Sequence, residues 1–373
     1  MSNSRIPFRF DHVGSFLRSP AIKSARSLFK AGKLSSDDLT KVENEEITKL
    51  VAKQKAAGLK VITDGEFRRA YWHLDFFWGF NGIEQIELSH GYFFHGEETA
   101  PGSIKLVGKI TGENHPWVKY FKFVNQFADE NTVVKQTFPA PAQLLAELFR
   151  KDNIEQTKSV YPDINVLIED IGAAYRTVIK ELYEAGCRNI QVDDCTWGMF
   201  VDSKYWEARQ NGGVSFEQEA EKYLRVNNLA YQDRPSDLVL ATHVCRGNYH
   251  STYACTGAYD SVAQYLFAKE NVDAFYLEFD DERSGGFEPL KFIPEDKKVV
   301  LGLITSKRPQ LEDKEFIKKR IYEASKYIPL ERLCLSPQCG FASCEIGNKL
   351  TDEDQWKKLA LVKEIAKEVF GVD

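Results

Sequence analysis

The sequence predicts a (β/α)8 barrel, the TIM-barrel fold, with a small inserted β-hairpin. One observation is a repeated unit, in which an amphipathic helix ends at a glycine and a short apolar strand leads to an acidic residue. The other is a series of eight short strand segments, most of them separated by helical patterns. Repetition of a helix–strand unit implies a parallel sheet. Eight units in 373 residues favour a closed barrel over a doubly wound sheet.

The two clearest copies of the repeated unit are residues 47–66 and residues 171–194. In each copy, apolar side chains at helical spacing precede a glycine, which is typical of a helix that ends there. The strand that follows leads to Glu66 in the first copy and to Asp193 in the second. The positions expected on the buried helix faces are Ile47, Leu50, Val51, Gln54, Ile171, Tyr175, Val178 and Leu182, and the glycines are Gly58 and Gly186.

Six further strand segments are short apolar runs with polar residues after them. They begin near residues 8, 133, 237, 272, 298 and 332. The segment from about 82 to 112 is richer in glycine, histidine and aromatic residues, which indicates an inserted hairpin. No Gly/Ser linker or low-complexity segment divides the chain, so we expect a single domain over residues 1–373.

Composition and charge exclude several classes of function. Hydrophobic residues make up 43% of the chain and charged residues 28%, which is ordinary for a globular protein with a sizeable core. The net charge is −6, and no block of Lys and Arg forms a nucleic-acid footprint. The amino-terminal MSNSRIPFRF has no apolar core, and no segment approaches the roughly 18 apolar residues of a membrane span. We therefore expect a cytoplasmic protein that binds neither nucleic acid nor membrane.

Polar residues concentrate where the predicted strands end. The active site of a (β/α)8 barrel lies at the carboxyl ends of its strands, and a soluble barrel does not need cysteine, histidine and carboxylates there for stability. The seven cysteines are an odd number for a disulfide framework, so metal ligands and packed thiols explain them better. The residues at the strand ends are His12, Ser15, Glu66, Asp193, His243, Cys245, Glu278, Thr305 and Cys339.

The sharpest subset of these residues predicts a zinc site. His243 and Cys245 are two apart on an extended strand end, so their side chains point to the same side. With Glu278 and Cys339 at other strand ends, they offer one imidazole, two thiolates and one carboxylate, a set that suits tetrahedral Zn²⁺. Two alternatives stay open: Glu278 pairs with Arg283, or Cys339 is a packed turn cysteine, with Cys344 as a rival ligand.

Six motifs in this order connect the chain to a known family: HVGSF, TDGEFRR, IQVDDC, THVCRGN, YLEFDDERSGG and SPQCGF. With them the chain resembles the carboxy-terminal catalytic domain of cobalamin-independent methionine synthase, and more closely its short single-domain relatives. The resemblance covers essentially the whole chain and lacks the amino-terminal barrel of the full-length enzymes. It implies a zinc-dependent transfer of a methyl group to a thiol, homocysteine, which gives methionine, with 5-methyltetrahydrofolate (polyglutamate) or another compound as methyl donor.

The resemblance also implies roles for individual residues. It implies zinc ligation by His243, Cys245, Glu278 and Cys339. It implies that Gly14 and Ser15 contact the homocysteine carboxylate, and that Glu66 and Asp193 contact its ammonium group and are the candidate catalytic residues. Charge-assisted hydrogen bonds at both ends of an amino acid would supply orientation as well as affinity.

Two departures from the family leave the methyl donor open. Thr305 stands where the full-length enzymes have a histidine proposed to shuttle a proton, and Glu147 stands where they have a folate-contacting tryptophan. Alternatives on the same fold are a uroporphyrinogen decarboxylase-like enzyme and a corrinoid-dependent methyltransferase. A non-catalytic barrel that binds zinc or thiols is a further alternative. The partners expected are a small-molecule thiol and a methyl donor, and the sequence does not fix the oligomeric state.

Overall fold

The computed structural model of the protein describes residues 5–371, so both ends of the predicted domain 1–373 lie outside the described residues. Its strands are β1 (Val61–Ile62), β2 (Asn81–Glu87), β3 (Phe93–Phe94), β4 (Glu97–Glu98), β5 (Gly102–Thr111), β6 (Val133–Val134), β7 (Gln136–Pro139), β8 (Asn189–Asp193), β9 (Val239–Val244), β10 (Ala274–Glu278), β11 (Lys298–Ile304) and β12 (Leu333–Pro337). Its α-helices are α1 (Pro20–Lys30), α2 (Ser36–Ala56), α3 (Leu74–Phe77), α4 (Pro116–Asn125), α5 (Pro141–Leu148), α6 (Ile154–Val160), α7 (Ile164–Glu184), α8 (Thr196–Phe200), α9 (Ser203–Asn211), α10 (Phe216–Tyr231), α11 (Ala263–Lys269), α12 (Lys314–Ala324) and α13 (Asp352–Phe370).

The main sheet contains six parallel strands in the order β12–β11–β10–β9–β8–β7. Strand β1 pairs in parallel with β6, which precedes β7 in the chain by one residue, Lys135. The inner strands β9 and β10 are buried along their whole length, as expected of parallel strands covered on both faces. The predicted α/β fold with a parallel sheet is confirmed.

The first predicted strand, near residue 8, differs from the expectation. Among the described residues its pairing is a single parallel bridge between Phe10 and Leu335. The backbone amides of Phe8 and His12 donate to the carboxylate of Asp11, at 3.2 and 2.7 Å. Because this side chain takes two of the segment's amide donors, those donors are not available to a neighbouring strand.

The helices of the repeated unit agree with the predicted pattern. All eight positions expected on the buried faces of α2 and α7 are buried. Gly58 and Gly186 follow these helices with φ of 79° and 103°, a backbone conformation that favours glycine. The 3.6-residue periodicity therefore predicted the buried faces of both helices, and the glycines predicted where the helices end.

The inserted hairpin is present and leans over the carboxyl ends of the strands. Strands β2 and β5 pair antiparallel, with Glu87 opposite Gly102, and β3 pairs with β4 near the tip. The hydroxyl of Tyr92 donates to Glu147 of α5 at 2.7 Å, which fixes the hairpin to the rest of the fold. Among the helices of residues 5–371, none is long and apolar enough to cross a membrane.

Candidate active site

A cavity of about 490 Å³ lies at the carboxyl ends of the strands, where the sequence predicted the active site. Polar side chains at or just after the carboxyl ends of the strands line its buried part, among them Glu66, Asp193 and His243. Aromatic side chains from the hairpin and from α8 to α10 line much of the rest, including Tyr92 and Phe200. The cavity thus joins a polar, thiol-rich region to an apolar one.

Three of the four predicted metal ligands lie together on the wall of this cavity. His243 is part of β9, Cys245 directly follows β9, and Cys339 follows β12. One possible ligand atom from each lies within 4.8 Å of the others, and all three residues are buried. We call these three residues the thiol–imidazole cluster.

The electrostatics of the thiol–imidazole cluster favour a thiolate at Cys245. Hydrogen bonds from the thiols of Cys195 and Cys339, of which the one from Cys195 has the larger effect, lower the pKa of Cys245 well below its usual value. Burial alone would lower the pKa of His243, but the facing sulfur of Cys245 raises it overall. Within residues 5–371, both ring nitrogens of His243 are buried and lack a hydrogen-bond partner. A buried imidazole of this kind fits a metal ligand, because coordination would satisfy one nitrogen.

Glu278, the fourth predicted ligand, ends β10 but lies outside the thiol–imidazole cluster. Its carboxylate is fully buried and forms an ion pair with Arg283. Its other oxygen accepts the backbone amide of Arg246 at 3.1 Å. The structure therefore contains the pairing with Arg283 that the sequence had left open. Ligation of a metal by Glu278 stays a prediction.

Cys195 is a residue of this site that the sequence analysis missed. It lines the cavity, and its sulfur lies 3.4 Å from the sulfur of Cys245. The register of β8 and β9 places Asp193 opposite His243, so the residues two places further on, Cys195 and Cys245, also face each other. That matched spacing in the sequence could have identified Cys195 once the two strands were taken as neighbours.

The rival cysteine Cys344 lines the same cavity but is not part of the thiol–imidazole cluster. Its backbone makes an antiparallel bridge with Tyr71. Burial raises the pKa of the Cys344 thiol to about 12. It is therefore a neutral, packed thiol at physiological pH.

The two carboxylates predicted to contact an ammonium group both line the cavity. Glu66 accepts a hydrogen bond from the hydroxyl of Thr137 at 3.0 Å and lies 3.3 Å from the guanidinium of Arg69. Burial raises the pKa of Asp193 to about 7, and the negative charge of Glu66 adds to this rise. A cation that entered between them would relieve this repulsion. The pair is therefore suited to an ammonium group.

Gly14 and Ser15, the other predicted substrate contacts, lie at the same end of the fold. Ser15 lines the cavity, and the amide of Ala342 donates to its hydroxyl at 3.3 Å. Gly14 has φ of 144°, and a Cβ there would come within 2.8 Å of the Thr137 methyl group. The absence of a side chain at Gly14 thus allows this backbone to pass close to β7.

The two departures from the family have different structural surroundings. Glu147 is buried, where it accepts hydrogen bonds from Tyr92 at 2.7 Å and from Arg150 at 3.2 Å. Tyr92 and Arg150 both line the cavity, so Glu147 shapes the wall through them. Thr305 is buried, and its amide donates to Glu312 at 3.0 Å.

Comparison with known proteins relates these features to a family. Residues 10–367 match the model of the cobalamin-independent synthase catalytic domain. The chain is 44% identical over 367 residues to YxjH of Bacillus subtilis, a protein described as uncharacterised. That match covers 98% of this chain and 96% of YxjH.

Solved structures give the same result for the fold. A "putative vitamin-B12 independent methionine synthase" from Listeria monocytogenes is 38% identical, with a TM-score of 0.78 over 99% of this chain and 100% of that chain. A B12-independent methionine synthase from Shewanella sp. W3-18-1, in complex with selenomethionine, has a TM-score of 0.72 at 18% identity over 97% and 98%. These TIM-barrel-like neighbours agree with the predicted fold class, and the family supports a methyltransferase of the methionine synthase type. The chain belongs to the family of cobalamin-independent synthase catalytic domains.

Proposed function

We propose that the protein is a cytoplasmic, single-domain, zinc-dependent enzyme that transfers a methyl group to the sulfur of a small amino thiol, homocysteine being the first acceptor to test. The observation that carries this proposal is the presence of the thiol–imidazole cluster in the same cavity as Glu66 and Asp193. One region offers soft ligands for a metal, and the other offers acceptors for an ammonium group. A site that binds an amino thiol by its sulfur and by its ammonium group uses both regions.

The ligand atoms of the thiol–imidazole cluster fit Zn²⁺, which prefers tetrahedral nitrogen and sulfur coordination. A zinc ion bound there would lower the pKa of a coordinated substrate thiol, so that a nucleophilic thiolate exists at neutral pH. Two residues of this chain are candidates for the fourth ligand position of the zinc ion. Glu278 is the predicted one and is paired with Arg283, whereas Cys195 lies against Cys245.

The chain's own residues would bind and orient the acceptor. Glu66 and Asp193 would accept hydrogen bonds from its ammonium group, and the hydroxyl of Ser15 would donate to its carboxylate. Holding both ends of the amino acid fixes the direction of its sulfur, which converts a random encounter into an oriented one. The aromatic part of the cavity would hold the methyl donor, 5-methyltetrahydrofolate or another compound, and exclude water.

Metal content and product formation test this proposal together. Elemental analysis of the purified wild type should give one zinc ion per chain, which Cys245→Ser should lose. The matched control is Cys187→Ala, because Cys187 is buried just before the opposite end of β8 and should not affect zinc. Wild type with zinc should form methionine from homocysteine with one of a panel of methyl donors.

Two outcomes would support the alternatives instead. A wild type that is folded but contains no zinc would favour a decarboxylase-like enzyme. A wild type that binds zinc but turns over no methyl donor, even with thiol in excess, would favour a non-catalytic zinc-binding barrel.

A further inference from the structure

We propose that the methyl donor is a small methylsulfonium cation, which binds against the aromatic side chains of the cavity. This inference rests on the function proposed above and names the class of donor that was left open there. Two observations carry it. One is the set of aromatic and charged groups on the cavity wall, and the other is the side chain at the end of β11.

Aromatic side chains reach the cavity from two directions. We call five of them the aromatic wall: Tyr92 and Phe94 from the hairpin, and Phe200, Tyr205 and Tyr223 from α8, α9 and α10. The rings of Phe200 and Tyr223 lie edge to face, with their centroids 5.5 Å apart. Tyr92 already holds a cation of the protein itself, because the guanidinium of Arg150 lies 4.0 Å from its ring centroid. The face of an aromatic ring attracts a cation, most strongly where water is excluded, so this wall suits a positively charged ligand.

The charged groups of the cavity wall also favour a cation. Glu66 and Asp193 are buried carboxylates. Arg150 is the only arginine or lysine among the described residues that line the cavity, and it donates to Glu147 at 3.2 Å. Burial lowers the pKa of His73 to about 3, so this lining imidazole is neutral at pH 7. The wall therefore offers acidic groups and rings, and its guanidinium is already paired.

The leaving group of the reaction decides whether a proton donor is needed. A methyl group on a neutral nitrogen leaves an anionic nitrogen behind unless an acid protonates it. Thr305 stands where the full-length enzymes have a proton-shuttling histidine, and its buried hydroxyl accepts the backbone amide of Lys307 at 3.3 Å. A threonine hydroxyl does not donate a proton near neutral pH, and Lys307 is not among the described residues that line the cavity. A sulfonium donor fits this end of β11 because its leaving group needs no proton.

Glu147 supports the same class of donor. It stands where the full-length enzymes have a folate-contacting tryptophan, so a ring is replaced by a carboxylate. That carboxylate accepts the hydroxyl of Tyr92 at 2.7 Å and also pairs with Arg150. It thereby positions one ring of the aromatic wall and neutralises the guanidinium beside it. Both effects favour a cation over an anionic folate.

The transfer balances without a proton. The thiolate sulfur of the acceptor, whose proton has already gone to solvent, attacks the methyl carbon and forms a new carbon–sulfur bond. The bond between that carbon and the sulfonium sulfur breaks, and its electron pair stays on the leaving sulfur. One negative and one positive charge cancel, so the donor departs as a neutral sulfide. A neutral sulfide loses the attraction of the aromatic wall, which favours its release.

Initial rates with a panel of donors test this inference on the zinc-loaded wild type with homocysteine as acceptor. The panel contains trimethylsulfonium, (2-carboxyethyl)dimethylsulfonium, and 5-methyltetrahydrofolate as its monoglutamate and its triglutamate. We expect kcat/KM for at least one sulfonium to exceed that of both folates by at least about tenfold.

The variant Tyr223→Leu tests whether the aromatic wall binds the donor. It keeps an apolar side chain but removes a ring face, so KM for the sulfonium should rise roughly 2- to 30-fold, with little change in kcat. Inhibition by 4-methylpentanoate, the uncharged-carbon analogue of (2-carboxyethyl)dimethylsulfonium, should stay nearly the same. Tyr322→Leu is the matched control, because Tyr322 is exposed on α12 and should leave both constants unchanged.

The outcomes separate this inference from the proposed function. A folate with a higher kcat/KM than every sulfonium would overturn the inference and leave the proposed function intact. The same KM for the sulfonium in Tyr223→Leu and Tyr322→Leu would also overturn it, since the aromatic wall would then not hold the donor. A zinc-loaded wild type that forms no methionine with any donor of the panel would count against both.

Discussion

The guanidinium of Arg283 lies against the fully buried carboxylate of Glu278 and also contacts Asp280 at 2.8 Å. Burial of these charges is tolerated because they compensate one another. The ion pair holds the end of β10 and the turn after it in one arrangement. Its role in this conformation is therefore structural, whatever Glu278 does when a metal is bound.

Replacing Arg283 should destabilise the fold strongly. In Arg283→Met, the carboxylate of Glu278 is left buried without its counter-ion, which typically costs about 3–5 kcal/mol. Urea unfolding of the zinc-free protein measures this loss. The double variant Arg283→Met/Glu278→Gln should recover part of it, because no buried charge remains at position 278. A loss below about 1 kcal/mol in the single variant would show that the pair contributes little.

Removing either carboxylate of the cavity should weaken binding of the amino group selectively. Asp193→Asn and Glu66→Gln each lose a charge-assisted hydrogen bond worth about 1.5–3 kcal/mol, so KM for an amino thiol should rise roughly 10- to 150-fold. The comparison is with a thiol of the same length that lacks the amino group, for which KM should change little. Equal effects on both thiols would contradict the predicted ammonium contacts.

The link between Tyr92 and Glu147 should control the mobility of the hairpin tip. Tyr92→Phe removes a hydroxyl that bonds to Glu147 at 2.7 Å and leaves that buried carboxylate with less compensation. Hydrogen exchange should become faster in residues 91–99 and stay unchanged in β8 and β9. Phe94→Leu, a change in the same strand pair that keeps this hydrogen bond, is the control. Unchanged exchange in Tyr92→Phe would mean that other contacts hold the tip.

Acid should destabilise the protein partly through the buried imidazole of His115. Burial lowers the pKa of His115 from 6.5 to about 4, so the folded protein keeps this imidazole neutral while the unfolded chain takes up a proton below pH 6.5. Stability is therefore present above pH 6.5 and falls with pH until about 4, by about 2 kcal/mol at pH 5.

The variant His115→Gln tests this pH effect because glutamine can still donate to the carbonyl of Phe76, which lies 3.0 Å from the imidazole nitrogen. Urea unfolding at pH 7 and pH 5 should show a difference that is about 2 kcal/mol smaller in the variant than in the wild type. The same pH difference in both proteins would exclude His115 as the cause.

Patterns that depend on periodic burial were predictable from the sequence. The buried faces of α2 and α7 follow from helical spacing, and the parallel sheet follows from repeated helix–strand units. The strand-end rule located His243, Cys245 and Cys339, which the structure brings together. These features depend on the chain's own regularity, so a single sequence is enough to reveal them.

Features that depend on where one side chain points could not be predicted in the same way. The engagement of Glu278 by Arg283 is a choice between two plausible partners, and only the geometry decides it. Recognition of Cys195 required knowledge that β8 and β9 are neighbours in register. The shortened first strand depends on Asp11 capturing two backbone amides, a local competition that hydrophobic patterning does not report.

The hairpin between α3 and α4 gives one part of the cavity wall a separate origin in the chain. The thiols and carboxylates are anchored at strand ends, whereas Tyr92 and Phe94 reach the cavity from an insertion outside the main sheet. An exchange of this insertion between homologues would alter that part of the cavity wall without moving a strand of the main sheet. Under the proposed function, the strand ends would keep the same chemistry for the acceptor, and a replaced insertion would change which methyl donor the cavity accepts.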